Sequence, residues 1–157
     1  MKYDKIKGLN KKISKLILGN DNQTEFDSAA KLWDHWIEVG GNAFDNAYVY
    51  GNGVMELLMG KWHTKRKIRD KLVLIAKGAH TPNCNPEGIS SELSISLDRL
   101  KTDFADIYIM HRDNLEIPVS EFIEVLNQEV NKGRIKIFGG SNWTLERFKE
   151  ANEWAEK

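Results

Sequence analysis

The chain has 157 residues, 41% of them hydrophobic and 29% charged, the make-up of one folded domain rather than a disordered or fibrous segment. Its 23 Lys+Arg balance 23 Asp+Glu, so no net field recruits nucleic acid or an anionic membrane, and a small-molecule partner is expected. A lone Cys84 excludes an internal disulfide, no Cys/His spacing fits a metal, and the longest apolar run, Leu16-Ile17-Leu18, is too short for a signal or a membrane span, so a cytoplasmic location is expected.

Along the chain, short aliphatic runs alternate with longer segments of helical period, the pattern of repeated βα units around a parallel sheet. The first unit pairs a strand from Lys15 to Gly19 with a helix whose Phe26, Ala30, Trp33 and Ile37 share a face, stopped by Gly40-Gly41. The second pairs Ala43 to Asp45 with Val54, Leu57, Leu58 and Trp62. Leu72 to Lys77 predicts a strand buried on both faces, followed past a Pro-containing loop by a helix presenting Ile89, Leu93, Leu97 and Leu100. Ala105 to His111 supplies the fourth strand, and after Pro118 a helix presents Val119, Phe122, Ile123, Leu126 and Val130, closed by Asn131-Lys132-Gly133. Ile135 to Phe138 is the fifth strand, and Thr144 caps a last helix through Leu145, Phe148 and Ala155.

The strand ends recur roughly every thirty residues, as in a (β/α)8 TIM barrel or a doubly wound sheet. A doubly wound dinucleotide fold wants Gly-x-Gly-x-x-Gly after its first strand, whereas Gly19-Asn20-Asp21-Asn22-Gln23 stands there. The expected fold is therefore an α/β TIM barrel, of which these residues hold only about the first five units, since a whole barrel takes about 250 residues. The first and fifth strands are left as open edges, through which self-association is expected.

Asp45, Lys77, His111 and the pair Ser141-Asn142 each lie at or just past the C-terminal end of successive strands, with Tyr50 in the loop after the second. Barrel chemistry takes place at that rim, and polar groups converging there from four strands could supply a proton donor, its electrostatic tuner and a substrate clamp. Taken singly, Lys77 reads as a snorkelling strand-end lysine and Tyr50-Gly51-Asn52-Gly53 as an ordinary turn; the ordered set carries the weight. His111-Arg112-Asp113 lacks the Asn and the Gly-rich loop that a kinase catalytic segment needs. His35 on the first helix and His63 and His80 in loops read as structural or solvent histidines. Trp33, Trp36, Trp62 and Trp154 read as packing residues.

The segment Gly41-Asn42-Ala43-Phe44-Asp45-Asn46-Ala47-Tyr48-Val49-Tyr50-Gly51 resembles the aldo-keto reductase signature around the catalytic Asp and Tyr, and Lys77, His111 and Gly139-Gly140-Ser141-Asn142 follow in that family's order. The stretch from Tyr3 to Ile13 resembles the hairpin that plugs the bottom of those barrels. The resemblance implies an NAD(P)H-dependent oxidoreductase acting on an aldehyde or ketone, with Tyr50 as general acid. A free tyrosine titrates near about 10, so proton donation near neutrality needs help, which Lys77 held by Asp45 would give, while His111 orients the carbonyl. By the same resemblance, Ser141 and Asn142 would bind the nicotinamide carboxamide, with Gly19, Asn20 and Asp45 also on the cofactor, NADPH or NADH. Asn46, and Asn20-Asp21, stand where the family often has Thr; both positions are expected to line the site. By the resemblance, residues 1–157 are expected to be the N-terminal part of an NADP-dependent oxidoreductase domain, with no metal. A non-catalytic nicotinamide-binding accessory subunit and an inactive truncated fragment are the alternatives.

Overall fold

A computed structural model describes residues 1–155. A two-stranded antiparallel hairpin of β1 (Tyr3–Lys5) and β2 (Lys12–Ser14) precedes five parallel strands: β3 (Leu18–Gly19), β4 (Ala43–Ala47), β5 (Val73–Gly78), β6 (Ala105–Met110) and β7 (Ile135–Gly140). They lie side by side in sequence order, so each connection steps to the next strand, as in a barrel wall. The helices α1 (Phe26–Glu38), α2 (Val54–Arg66), α3 (Pro86–Arg99), α4 (Val119–Asn131) and α5 (Leu145–Ala155) follow them in alternation. The α/β architecture and five βα units expected from the hydrophobic period are those of the structure.

The strand period of two divides the side chains between two layers. Phe44, Leu74, Ala76, Tyr108 and Met110 face the helices and pack with Trp33, Trp62, Ile89, Leu93, Phe122 and Leu126. Ala43, Val73, Ile75 and Ile107 form a smaller inner cluster with Ile13 of the hairpin, with Leu9, Ile109 and Ile137 against it. The hairpin is further tied to the sheet by Lys11, whose ammonium lies 2.7 Å from the buried carboxylate of Asp106, itself 2.8 Å from Arg69. This places the hairpin under the inner face, where the resemblance put it.

Several local expectations are corrected. The first strand is shorter than Lys15–Gly19, because Lys12–Ser14 pairs with β1 instead and only Leu18 and Gly19 reach register with Phe44 and Asp45. Leu16 and Ile17 are exposed. On α2, Val54 and Leu57 are exposed, while Met55, Met59 and Trp62 are buried together with Glu56 and His63. The helix is turned this way because Gly60 lies against the end of α3, where a Cβ would come 2.3 Å from the Arg99 carbonyl oxygen. His63 is thus in a helix rather than a loop, its Nε2 2.6 Å from the Leu100 carbonyl. On α5 the buried residues are Arg147 and Ala151, and Leu145 faces outward because Arg147 reaches Asp113 and the Ile117 carbonyl. Of the four tryptophans read as packing, Trp33 and Trp62 are fully buried, Trp36 is half-buried and Trp154 is exposed.

The helix boundaries follow their caps. Asn85 accepts a hydrogen bond from the Gly88 amide ahead of Pro86 in the first turn of α3, and Thr144 accepts from the Arg147 amide to open α5. Among the described residues, no helix is long and apolar enough to cross a membrane.

Candidate active site

Asp45 and Lys77 point to the inner side of adjacent strands near their C-terminal ends, one step apart in register, since Ala47 pairs with Lys77 and Asp45 with Ile75. The Lys77 ammonium donates to Asp45 Oδ2 at 2.7 Å and to the Tyr50 hydroxyl at 2.7 Å. Tyr50 opens a one-turn helix, Tyr50–Gly53, in which Gly51, Asn52 and Gly53 all take the left-handed region, so the chain doubles back and aims the phenol toward Lys77. Burial of Lys77 works against its charge, but the hydrogen bonds it donates to Asp45 and Tyr50 outweigh it and leave the ammonium titrating above the usual lysine value. A fixed cation therefore sits against the phenol oxygen, where it favours the charge left by a departing proton.

His111 follows the last residue of β6, its amide bonded to the Gly78 carbonyl at 2.7 Å, and its ring meets Tyr50 edge-on at 5.8 Å. Burial, with Lys77, His80 and Arg112 as neighbouring cationic groups, pushes its titration down to about 4. At neutral pH it is an uncharged imidazole. The unfolded chain takes this proton below about 6.5, while the fold refuses it until about 4. The unfolded state therefore binds more protons in that window, and stability falls as pH drops through it. In a proton NMR titration the His111 ring signals are expected to stay flat from neutrality down to near pH 4; an inflection in the ordinary histidine range would contradict the buried placement.

Ser141 and Asn142 complete the rim after β7. The Ser141 amide extends the ladder to the Met110 carbonyl, and Asn142, in the left-handed region, donates to the His111 carbonyl and the Ser141 hydroxyl. Trp143 braces this turn, its indole donating to the Arg112 carbonyl and its ring against Gly140. One open cleft of about 380 Å³ is lined by Ile17, Gly19, Asp45, Ile75, Lys77, Ile109, Gly140 and Ser141. Ile17, Ile75 and Ile109 make part of its lining apolar, two glycines bring backbone to it without a side chain, and Lys77, Asp45 and Ser141 add polar groups, a lining suited to a planar, polar-edged heterocycle.

Asp45, Tyr50, Lys77 and His111 are brought together, and Gly19 and Ser141 share the cleft with two of them. Asn20 is not brought there. Its side chain is fully buried, donates to Asn46 and accepts from the Trp33 indole. Asn46 follows Asp45 and so faces the helices, where it is fully buried too. Both asparagines tie β3, β4 and α1 together rather than lining the site. His80, read from the sequence as a structural or solvent histidine, adjoins the site: it lies 5.0 Å edge-on to His111, with Arg112 Nε 3.4 Å from its Nε2. Its position three residues after Lys77, in the loop that leaves the strand at the rim, was the available signal. Among the described residues, no group of three or more His, Cys, Asp or Glu could hold a metal.

Residues 15–157 match the model of a family described as the aldo/keto reductase family. The chain is similar to an uncharacterized oxidoreductase of Bacillus subtilis, 28% identical over 100% of this chain and 54% of the relative. It is also similar to a probable voltage-gated potassium channel subunit beta of Oryza sativa subsp. japonica, 30% identical over 83% of this chain and 42% of the relative. Among solved structures it is similar to an aldo-keto reductase from Klebsiella pneumoniae in complex with NADPH, with a TM-score of 0.80 and 26% identity over 88% of this chain and 49% of that one. The chain thus spans about half the length of the curated relatives it matches.

Proposed function

This chain belongs to the aldo/keto reductase family, and from that premise we propose that it serves NAD(P)H-dependent reduction of an aldehyde or ketone, with Tyr50 as the proton donor. The observation that carries the reading is the doubly bonded Lys77 ammonium, 2.7 Å from both Asp45 and the Tyr50 hydroxyl, at the edge of an apolar cleft. A nicotinamide bound there would supply hydride to the carbonyl carbon. Gly19, Asp45 and Ser141 would hold it, and Asn142 steadies Ser141 through their hydrogen bond. As negative charge gathers on the carbonyl oxygen, the Tyr50 hydroxyl gives up its proton to that oxygen, and Lys77 stabilises the phenolate that remains. Asp45 keeps Lys77 charged and in place, and neutral His111 orients the same oxygen. The oxidoreductase and the NADPH-bound structure similar to this chain support the reading.

The potassium channel subunits similar to this chain favour a second reading, a nicotinamide-binding accessory subunit without turnover. Calorimetric titration of the 157-residue chain with NADPH, and then NADH, tests what both readings share. Saturable binding is expected, and its absence with both cofactors would overturn a nicotinamide site in this chain. Turnover of any member of an aldehyde panel by the bound form then separates reductase from accessory subunit.

A further inference from the structure

The segment carrying Tyr50 is gripped at both ends by one side chain from the neighbouring helix α3. Arg99, the last residue of α3, donates through Nη1 to the Tyr48 carbonyl at 3.1 Å, and its guanidinium lies over the Tyr48 ring, 4.7 Å from the centroid. Its other flank presses on Gly53, where φ is +91° and a Cβ would come 2.3 Å from the guanidinium carbon. Tyr48 precedes the three left-handed residues and Gly53 is the last of them, and the Tyr48 amide is bonded to the Lys77 carbonyl at 2.8 Å. Glu56 of α2, fully buried, holds the guanidinium from below at 3.2 Å. A buried pair of this kind is weak evidence for stability as such, while here its two free directions are spent on the loop that aims one phenol.

We propose that Arg99, held by Glu56, is a positioning residue that fixes the Tyr48–Gly53 loop and so keeps the Tyr50 hydroxyl on the Lys77 ammonium. Tyr50 as proton donor is the reading on which its catalytic meaning rests. Nη1 alone serves the Tyr48 carbonyl and the Glu56 carboxylate, while the planar guanidinium also covers the Tyr48 ring and fills the space beside Gly53, which a lysine ammonium leaves open.

The test follows the Lys77 side-chain ammonium by NMR through its titration in the full chain, in wild type, Tyr50→Phe, Arg99→Met and Arg99→Lys. Tyr50→Phe removes one of the two hydrogen bonds that raise Lys77 and calibrates the drop. Arg99→Met and Arg99→Lys are each expected to reproduce most of that drop, because the phenol leaves the ammonium. Should Arg99→Met fail to fold, Arg99→Lys carries the test, since it leaves a cation beside buried Glu56. A folded Arg99→Lys chain whose Lys77 titrates as in wild type, with only a lower melting temperature, would overturn the proposal in favour of a merely structural brace. Undiminished turnover in Tyr50→Phe would instead remove the catalytic reading and leave the Lys77 result standing.

Discussion

Replacing Tyr50 with Phe is expected to lower carbonyl reduction by roughly 10²- to 10⁴-fold, the range ascribed to a positioned general acid. Only the hydroxyl is lost. Lys77 keeps its bond to Asp45, the half-buried ring keeps its place against His111, and the cleft lining does not include Tyr50. The loss therefore falls on kcat, with NADPH affinity nearly unchanged, because the interaction removed is made in the transition state rather than with bound cofactor. Initial rates of NADPH consumption against aldehydes, set beside calorimetric affinity, read the two quantities separately. Turnover equal to wild type would sink Tyr50 as the donor, and a collapse of cofactor affinity would assign it to binding instead.

The second large effect is on stability. Trp62 is fully buried between Trp33 and Phe44, with ring centroids 5.4 and 5.5 Å away, and its indole donates to Asp34 at 2.9 Å. It joins α1, α2 and β4 in one contact. Trp62→Ala is expected to cost about 3–5 kcal/mol, a large part of the ~5–15 kcal/mol by which a domain is ordinarily stable. Urea unfolding should show a lower midpoint, with Leu115→Ala at an exposed position moving it by less than about 0.5 kcal/mol. A Trp62→Ala chain as stable as that control would show that the three elements are held together elsewhere.

Much of the site was legible because barrel strands are spaced regularly and their C-terminal ends share a rim. Asp45, Lys77, His111 and Ser141 could be placed on one edge from strand periodicity alone, and Tyr50 by the turn residues that follow it. What was misread depended on orientation within an element. Asn46 adjoins Asp45 in sequence yet faces the opposite layer, and Asn20 is drawn into that layer by Asn46 and the Trp33 indole. The buried face of α2 was misassigned because Glu56 and His63 look like surface residues until Arg99 and the Leu100 carbonyl are seen to receive them.

The sequence by itself determined the alternation of strands and helices, the parallel sheet and the order in which polar residues reach its rim, since these rest on hydrophobic period and local turn chemistry. Tertiary structure alone decided that Lys77 contacts Asp45 and Tyr50 together, that His111 is buried enough to stay neutral, and that Arg99 reaches both ends of the Tyr50 loop. Each of these joins residues about 27 to 51 positions apart, and contacts of that span are set by how helices and strands pack against one another, which no local pattern encodes.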